Sequence, residues 1–311
     1  MMAARPRSVA FGGLLLLISA FGMPGCLAHH VGPLPGAPDG RYLQVQDARI
    51  RVDDRGQGPA VVLIHGFASA LDAWDTVVPA LESHHRVIRL DLKGFGWSDR
   101  PEGDYSPDAQ AQLVLGVMDQ LGVSSAAVVG HSWGASVALA LALRAPERVS
   151  RLALYDAWAY SEQLPTFFWW ARADGFGDAL FWLFYEQRTE DRMAMAFHDP
   201  RFVTQELIDA VDAALERPGT LAASLAAARD QRYEEVQHRY RTIVTPTLLV
   251  WGREDLVSPL WVGERLAREL PNARLVSYGD CGHFPMIEAR HASNRDLIEF
   301  LTDGSSPVSG R

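Results

Sequence analysis

The sequence predicts an α/β fold: a mostly parallel twisted sheet flanked by helices, with a helical cap inserted into it. Three observations carry this expectation. Short, continuous, β-branched apolar runs recur along the chain and read as strands buried on both faces. Segments with apolar residues at helical spacing separate them, and such alternation builds a parallel sheet covered by helices on both sides. The alternation fails only between residues 158 and 242, where aromatic-rich and Ala-rich helical sequence offers no strand.

The elements follow in order. Arg5 and Arg7 precede an apolar run from Phe11 to Phe21, the pattern of an export signal. The run is too short to cross a hydrocarbon layer of ~30 Å comfortably. Met23-Pro24-Gly25-Cys26 then resembles a bacterial lipobox, in which the cysteine becomes a lipidated N-terminus, although Met23 and Pro24 stand where Leu and a small residue are usual. Simple secretion, with cleavage after Ala20 or Ala28, is the alternative. Residues 1–26 are thus read as a signal ending at Cys26, and the Gly- and Pro-containing stretch 27–40 as a tether. A lipid anchor would hold the protein on a bacterial membrane, facing the periplasm or the exterior, without a spanning helix.

Tyr42 to Val52 alternates like two short antiparallel strands around a polar turn near Asp47. Ala60 to Ile64, Arg86 to Leu90, Ala126 to Val129, Arg151 to Leu154 and Thr247 to Trp251 read as buried strands, and Arg274 to Tyr278 as a last one. Trp74, Val77, Val78 and Leu81 recur at helical spacing, as do Leu113, Val117, Met118 and Leu121; Ser136 to Leu143 continues a helix that Pro146 stops. The expected core is therefore 41–157 with 243–303, and the cap 158–242. A length of 311 residues suits one large domain with an insertion, or two modest domains. A formal net charge of −9 argues against a nucleic-acid partner, which needs a basic surface.

Chemistry concentrates in Gly130-His131-Ser132-Trp133-Gly134, between the strand ending at Val129 and the following helix. Flanking glycines permit a tight strand-to-helix turn that lifts the Ser132 hydroxyl above the sheet edge, at the positive end of the helix. A serine hydroxyl is a poor nucleophile at neutral pH and needs a base; an imidazole, with an ordinary pKa of ~6.5, can accept and return its proton. A carboxylate then holds the imidazole in the useful tautomer.

This pentapeptide resembles the nucleophile elbow of the α/β-hydrolase superfamily, and other segments match in order. His65-Gly66-Phe67 is similar to the family's oxyanion loop, which implies that the backbone N–H groups of Phe67 and Trp133 hold the tetrahedral oxygen. Asp91 to Ser98 resembles the family's Gly-rich turn, Trp251-Gly252-Arg253-Glu254-Asp255 its acid-bearing loop, and Gly282-His283-Phe284-Pro285, followed by Glu288, its histidine loop. The resemblance spans roughly Tyr42 to Leu301 and implies Ser132 as nucleophile, His283 as base and Asp255 as acid. Glu254 and Asp156, the latter at a position some relatives use, compete with Asp255. His65 reads as a structural hydrogen bonder, and His131 as lying on the wrong side of the turn.

No cofactor is expected, and no His, Cys or carboxylate cluster has metal-ligand spacing in the sequence. Cys281 reads as a buried inert thiol. In the cap, Trp158, Phe168 and Trp169 are candidate pocket residues, with Phe284 from the histidine loop; packing between cap and core is the competing role for each. A serine at the nucleophile position excludes the aspartate-dependent dehalogenases and epoxide hydrolases that the Gly-rich turn otherwise resembles. The expected reaction is acyl transfer to Ser132 from a small carboxylic ester of apolar character. Carbon–carbon or amide hydrolysis, a cofactor-free haloperoxidase or perhydrolase, and a catalytically silent lipid-anchored binding protein are the alternatives.

Overall fold

The computed structural model describes residues 28–173, 175, 177–179 and 188–303. Cys26 and the proposed export signal lie outside them, as do the cap aromatics Phe181, Trp182, Phe184 and Tyr185. Eight strands form one sheet: β1 (Arg41–Val45), β2 (Ala48–Arg55), β3 (Ala60–Ile64), β4 (Arg86–Leu90), β5 (Ala126–His131), β6 (Val149–Tyr155), β7 (Thr247–Gly252) and β8 (Ala273–Tyr278). Their order is β1-β2-β4-β3-β5-β6-β7-β8. β2 pairs antiparallel with β1 and β4, and every later pairing is parallel.

The helices follow as α1 (Val78–Leu81), α2 (Pro107–Gln120), α3 (Trp133–Arg144), α4 (Thr166–Ala171), α5 (Thr189–Ala196), α6 (Gln205–Leu215), α7 (Thr220–Arg229), α8 (Tyr233–Val236), α9 (Leu260–Glu269), α10 (Pro285–Glu288) and α11 (Arg290–Thr302). The sheet divides the core into two apolar layers. On one face, Val62, Ile64, Val128, Leu152 and Leu249 meet Leu113 and Val117 of α2, Val137 and Leu141 of α3, and Val262 and Leu266 of α9. On the other, Val61, Leu63, Val129, Ala153 and Val250 meet Trp74, Leu81 of α1, and Leu297 and Phe300 of α11. Alternate residues of one strand thus serve opposite layers, which is why these strands read as unbroken apolar runs.

Between β6 and β7 every described element is helical. Arg100, fully buried at the end of the Gly-rich turn, joins this insertion to the sheet: its guanidinium donates to the Gly96 carbonyl at 2.8 Å and to Thr220 Oγ1, in the first turn of α7, at 3.0 Å.

The stretch expected as a tether needs correction. His30 pairs with Arg100 through two backbone hydrogen bonds, Gly32 N–H donates to Asp99 Oδ1, and Leu34 is buried. One apolar side chain and one bridging residue dock the segment onto the body, although its Gly and Pro content suggested a free linker.

Candidate active site

Ser132 stands between β5 and α3 with φ 52° and ψ −119°, a conformation L side chains rarely adopt. The turn requires its two glycines. A Cβ at Gly130 would lie 2.4 Å from the Gly134 carbonyl oxygen, and one at Gly134 would lie 2.3 Å from that of His65. The strained residue is pinned by its own backbone: Ser132 N–H donates to the Tyr155 carbonyl, and Ser132 carbonyl accepts from Trp158 N–H and Ala135 N–H.

The loop after β3 presses against this elbow, so that a Cβ at Gly66 would come within 3.2 Å of Ser132 Cβ. His65 is fully buried; its Nε2 accepts the Leu92 N–H at 2.9 Å, and its Nδ1 donates to the Gly66 carbonyl at 2.7 Å. Those two bonds fix one neutral tautomer, and burial lowers the His65 pKa, so His65 shapes the loop and is no base. The backbone N–H groups of Phe67 and Trp133 find no acceptor among the described residues. One such donor at the α3 N-terminus and one on the facing loop, both beside Ser132, are what an oxyanion requires.

Acid and base arrive on the loops after β7 and β8. Their backbones approach closely: a Cβ at Gly252 would stand 1.9 Å from the Gly282 carbonyl oxygen. Asp255 Oδ1 accepts the N–H groups of Val257 and Ser258 at 2.7 and 3.0 Å, while Oδ2 accepts from His283 Nδ1 at 2.7 Å. Glu254 points away and takes the Cys281 N–H on Oε2. Asp156 lies close by, buried at the end of β6, with Oδ1 on the Gly252 N–H at 3.0 Å and no bond to His283. Asp255 is therefore the carboxylate that orients the imidazole. The Ser132 hydroxyl makes no hydrogen bond among the described residues; such contacts commonly close only when substrate arrives.

Oxygens of Asp156 and Asp255 and a ring nitrogen of His283 fall within 4.8 Å of one another, a spacing that could also accept a metal ion. Three separate loops contribute them, so no linear spacing announces the cluster. The bond from His283 Nδ1 to Asp255 already occupies the geometry a cation would need, and the cluster reads as acid–base machinery.

Several groups that hold this arrangement escaped the sequence. His131, expected on the wrong side of the turn, bonds the His283 carbonyl through Nε2 at 2.7 Å, with the two rings 4.8 Å apart. Burial, and then neighbouring His283, keep the His131 pKa well below the usual imidazole range, so it serves as a neutral donor. Glu288 accepts the Gly282 N–H at 3.1 Å together with the N–H groups of His198 and Asp199 from the insertion. His283 N–H donates to the Ala196 carbonyl, at the end of α5, at 2.7 Å. Only Glu288 carried a signal, its place just after the histidine loop. Cys281 is fully buried, and burial pushes its thiol up, so it stays protonated and inert.

Aromatic rings pack around the elbow. Phe67 touches Phe95, Trp133, Trp158 and Phe168 at ring separations of 5.6, 6.0, 6.4 and 5.6 Å. Phe284 packs between His131 at 4.9 Å and Phe197 of the insertion at 4.7 Å. Trp158 and Phe168 are buried in this cluster, which fits the packing role as well as the pocket role. Trp169 is not: it is 40% exposed on the outer side of α4 with the Arg172 guanidinium 4.3 Å over its ring. Adjacent residues of a helix point about 100° apart, so Phe168 and Trp169 cannot both face inward. The indole Nε1 groups of Trp133 and Trp158, buried in this cluster, have no hydrogen-bond partner among the described residues.

An elbow serine, an Asp–His pair on the loops after β7 and β8 and two N–H groups without an acceptor among the described residues define a hydrolase site. The family model described as "alpha/beta hydrolase fold" matches residues 59–290, and the chain belongs to that family. It is 33% identical over 276 residues to a 2-hydroxymuconate semialdehyde hydrolase of Pseudomonas putida, covering 86% of this chain and 95% of that protein. It is 31% identical to a 2-hydroxy-6-oxononadienedioate/2-hydroxy-6-oxononatrienedioate hydrolase of Comamonas testosteroni, covering 82% and 92%. Among solved structures, a meta-cleavage product hydrolase from Pseudomonas fluorescens superimposes with a TM-score of 0.73 at 30% identity, covering 86% of this chain and 98% of that one. The enol-lactonase from Burkholderia xenovorans does so with a TM-score of 0.70 at 26% identity, covering 85% and 100%. The protein is a hydrolase of the α/β-hydrolase fold.

Proposed function

We propose that this hydrolase works through an acyl-enzyme on Ser132 and cleaves carboxylic esters, lactones included, whose acyl part is apolar. The observation that carries the reading is the aromatic cluster of Phe67, Trp158 and Phe168 beside the elbow, with Phe284 next to His283, which brings apolar surface and no charge to the site. Ser132 Oγ attacks the carbonyl carbon as His283 Nε2 takes its proton, and Asp255 stabilises the resulting imidazolium. The carbonyl oxygen becomes an oxyanion between the Phe67 and Trp133 N–H groups. Collapse expels the alcohol, protonated by His283; water then repeats the sequence and releases the acid.

A second reading is carbon–carbon hydrolysis of a vinylogous diketone, favoured by the named activities of the Pseudomonas and Comamonas relatives. Those substrates carry carboxylates, which call for a fixed cation that the rings do not supply.

Reaction with a fluorophosphonate followed by peptide mapping comes first. A single adduct on Ser132, absent in Ser132→Ala, is the expected outcome, and a folded protein with no adduct refutes the mechanism. Turnover of p-nitrophenyl esters of graded chain length against a 2-hydroxy-6-oxo-dienoate then separates the readings: a kcat/KM higher for the dienoate overturns the ester assignment. Export and lipid anchoring at Cys26 belong to the same proposal, and Cys26→Ala should release the protein from the membrane fraction.

A further inference from the structure

Asp156 is buried at the end of β6 with φ 43°, a backbone conformation in which Asn, Asp and Gly are the common occupants. Among the described residues its carboxyl has a single donor, the Gly252 N–H on Oδ1, and Oδ2 is buried with none. No Lys, Arg or His forms an ion pair with it among the described residues. What it meets instead is acid: Asp255, with which it shares the 4.8 Å cluster, and more distantly Glu288. The other titratable groups around it are Tyr155 on its own strand, and Cys281 and His283 from the loop after β8.

Two carboxylates in contact inside a protein do not both ionise. The donors decide which keeps the charge. Asp255 receives three, from Val257, Ser258 and His283, whereas Asp156 receives one. We propose that Asp156 is a positioning residue of the catalytic apparatus: a protonated carboxylic acid whose Oδ2 hydrogen bonds to Asp255 and moderates the negative charge that Asp255 presents to His283. Burial first, and the Asp255 charge second, push the Asp156 carboxyl well above the usual carboxylate range, in line with this assignment. The proton stays on Asp156 through the cycle, and no bond to substrate is involved.

The inference rests on Ser132, His283 and Asp255 acting as a triad and is independent of which acyl compound is cleaved. Two variants separate it from a packing role. Asp156→Asn keeps a donor toward Asp255, an acceptor for Gly252 N–H and tolerance of positive φ. Asp156→Gly keeps the backbone conformation and removes the carboxyl. The readout is the rate of fluorophosphonate labelling of Ser132 in the full chain as a function of pH, with infrared spectra of the same proteins. Asp156→Asn should label within about twofold of wild type with an unmoved acid limb. In Asp156→Gly the uncovered Asp255 charge favours the imidazolium. Its acid limb should rise by about one pH unit, the size of one hydrogen bond to a charge. The infrared spectrum at neutral pH should contain a protonated-carboxyl stretch that Asp156→Asn removes. An acid limb that moves down in Asp156→Asn means an ionised Asp156 and overturns the proposal, as does an unchanged profile in Asp156→Gly. Lack of the infrared band in wild type overturns it directly, even if Asp156→Gly does not fold. A wild type that fails to label refutes the serine mechanism instead, and the infrared band still decides the state of Asp156.

Discussion

At the scale of single residues, the candidate site also depends on side chains outside the Ser132, His283 and Asp255 set. His131 fastens the His283 carbonyl and lies against its ring. His131→Phe preserves an aromatic ring and deletes the bond. Since a small misplacement of a catalytic base is costly, kcat should fall by roughly tenfold to a hundredfold with KM little changed. Steady-state kinetics on any ester that the enzyme accepts checks this; a KM effect alone would mean that His131 shapes the pocket instead. The elbow at Ser132 and the pairing of Asp255 with His283 were legible because each grows from a local motif. His131 was not, because its role is a contact between residues 152 positions apart. Trp169 was misjudged for a related reason: an aromatic run has no helical phase until its axis is placed against the core.

At the scale of elements, the central strands were readable because each is apolar on both faces and bounded by turns, and β1 and β2 because they alternate. β5 runs two residues further than the sequence suggested, to His131, because those residues pair with Leu154 and Tyr155 of β6. The docking of the segment from His30 through Leu34 was not readable, since one buried apolar side chain, Leu34, in a Gly- and Pro-containing stretch carries no periodicity. The loops after β7 and β8 depend on one close approach. Gly252→Ala places a methyl group 1.9 Å from a backbone oxygen that cannot rotate away, and should destabilise the fold by roughly 3 kcal/mol. Chemical denaturation would measure the loss. An unchanged midpoint would show that the two loops separate freely and that the Asp255–His283 bond does not depend on their contact.

For the whole molecule, pH acts through the buried imidazoles. His65 and His131 have lowered pKa values in the fold, chiefly from burial. The unfolded chain therefore takes up their protons first as pH falls. The stability they permit is complete above an ordinary imidazole value of ~6.5 and is lost progressively as pH drops below it toward their folded values. Urea midpoints measured from pH 7.5 to 5 should decline, and less steeply in His131→Phe; a parallel decline in the variant would exclude His131 as a contributor. The insertion enters the same economy of contacts, because the Ala196 carbonyl holds the His283 N–H and Glu288 clasps His198 and Asp199. Transplanting the segment between β6 and β7 from a relative, as one would exchange a module to change substrate preference, would remove an anchor of the base along with the old pocket. Substrate range and proton transfer are thus inherited together in this chain, and a recombinant that swaps one must carry across residues 196–199 or rebuild the grip on His283 from the other side.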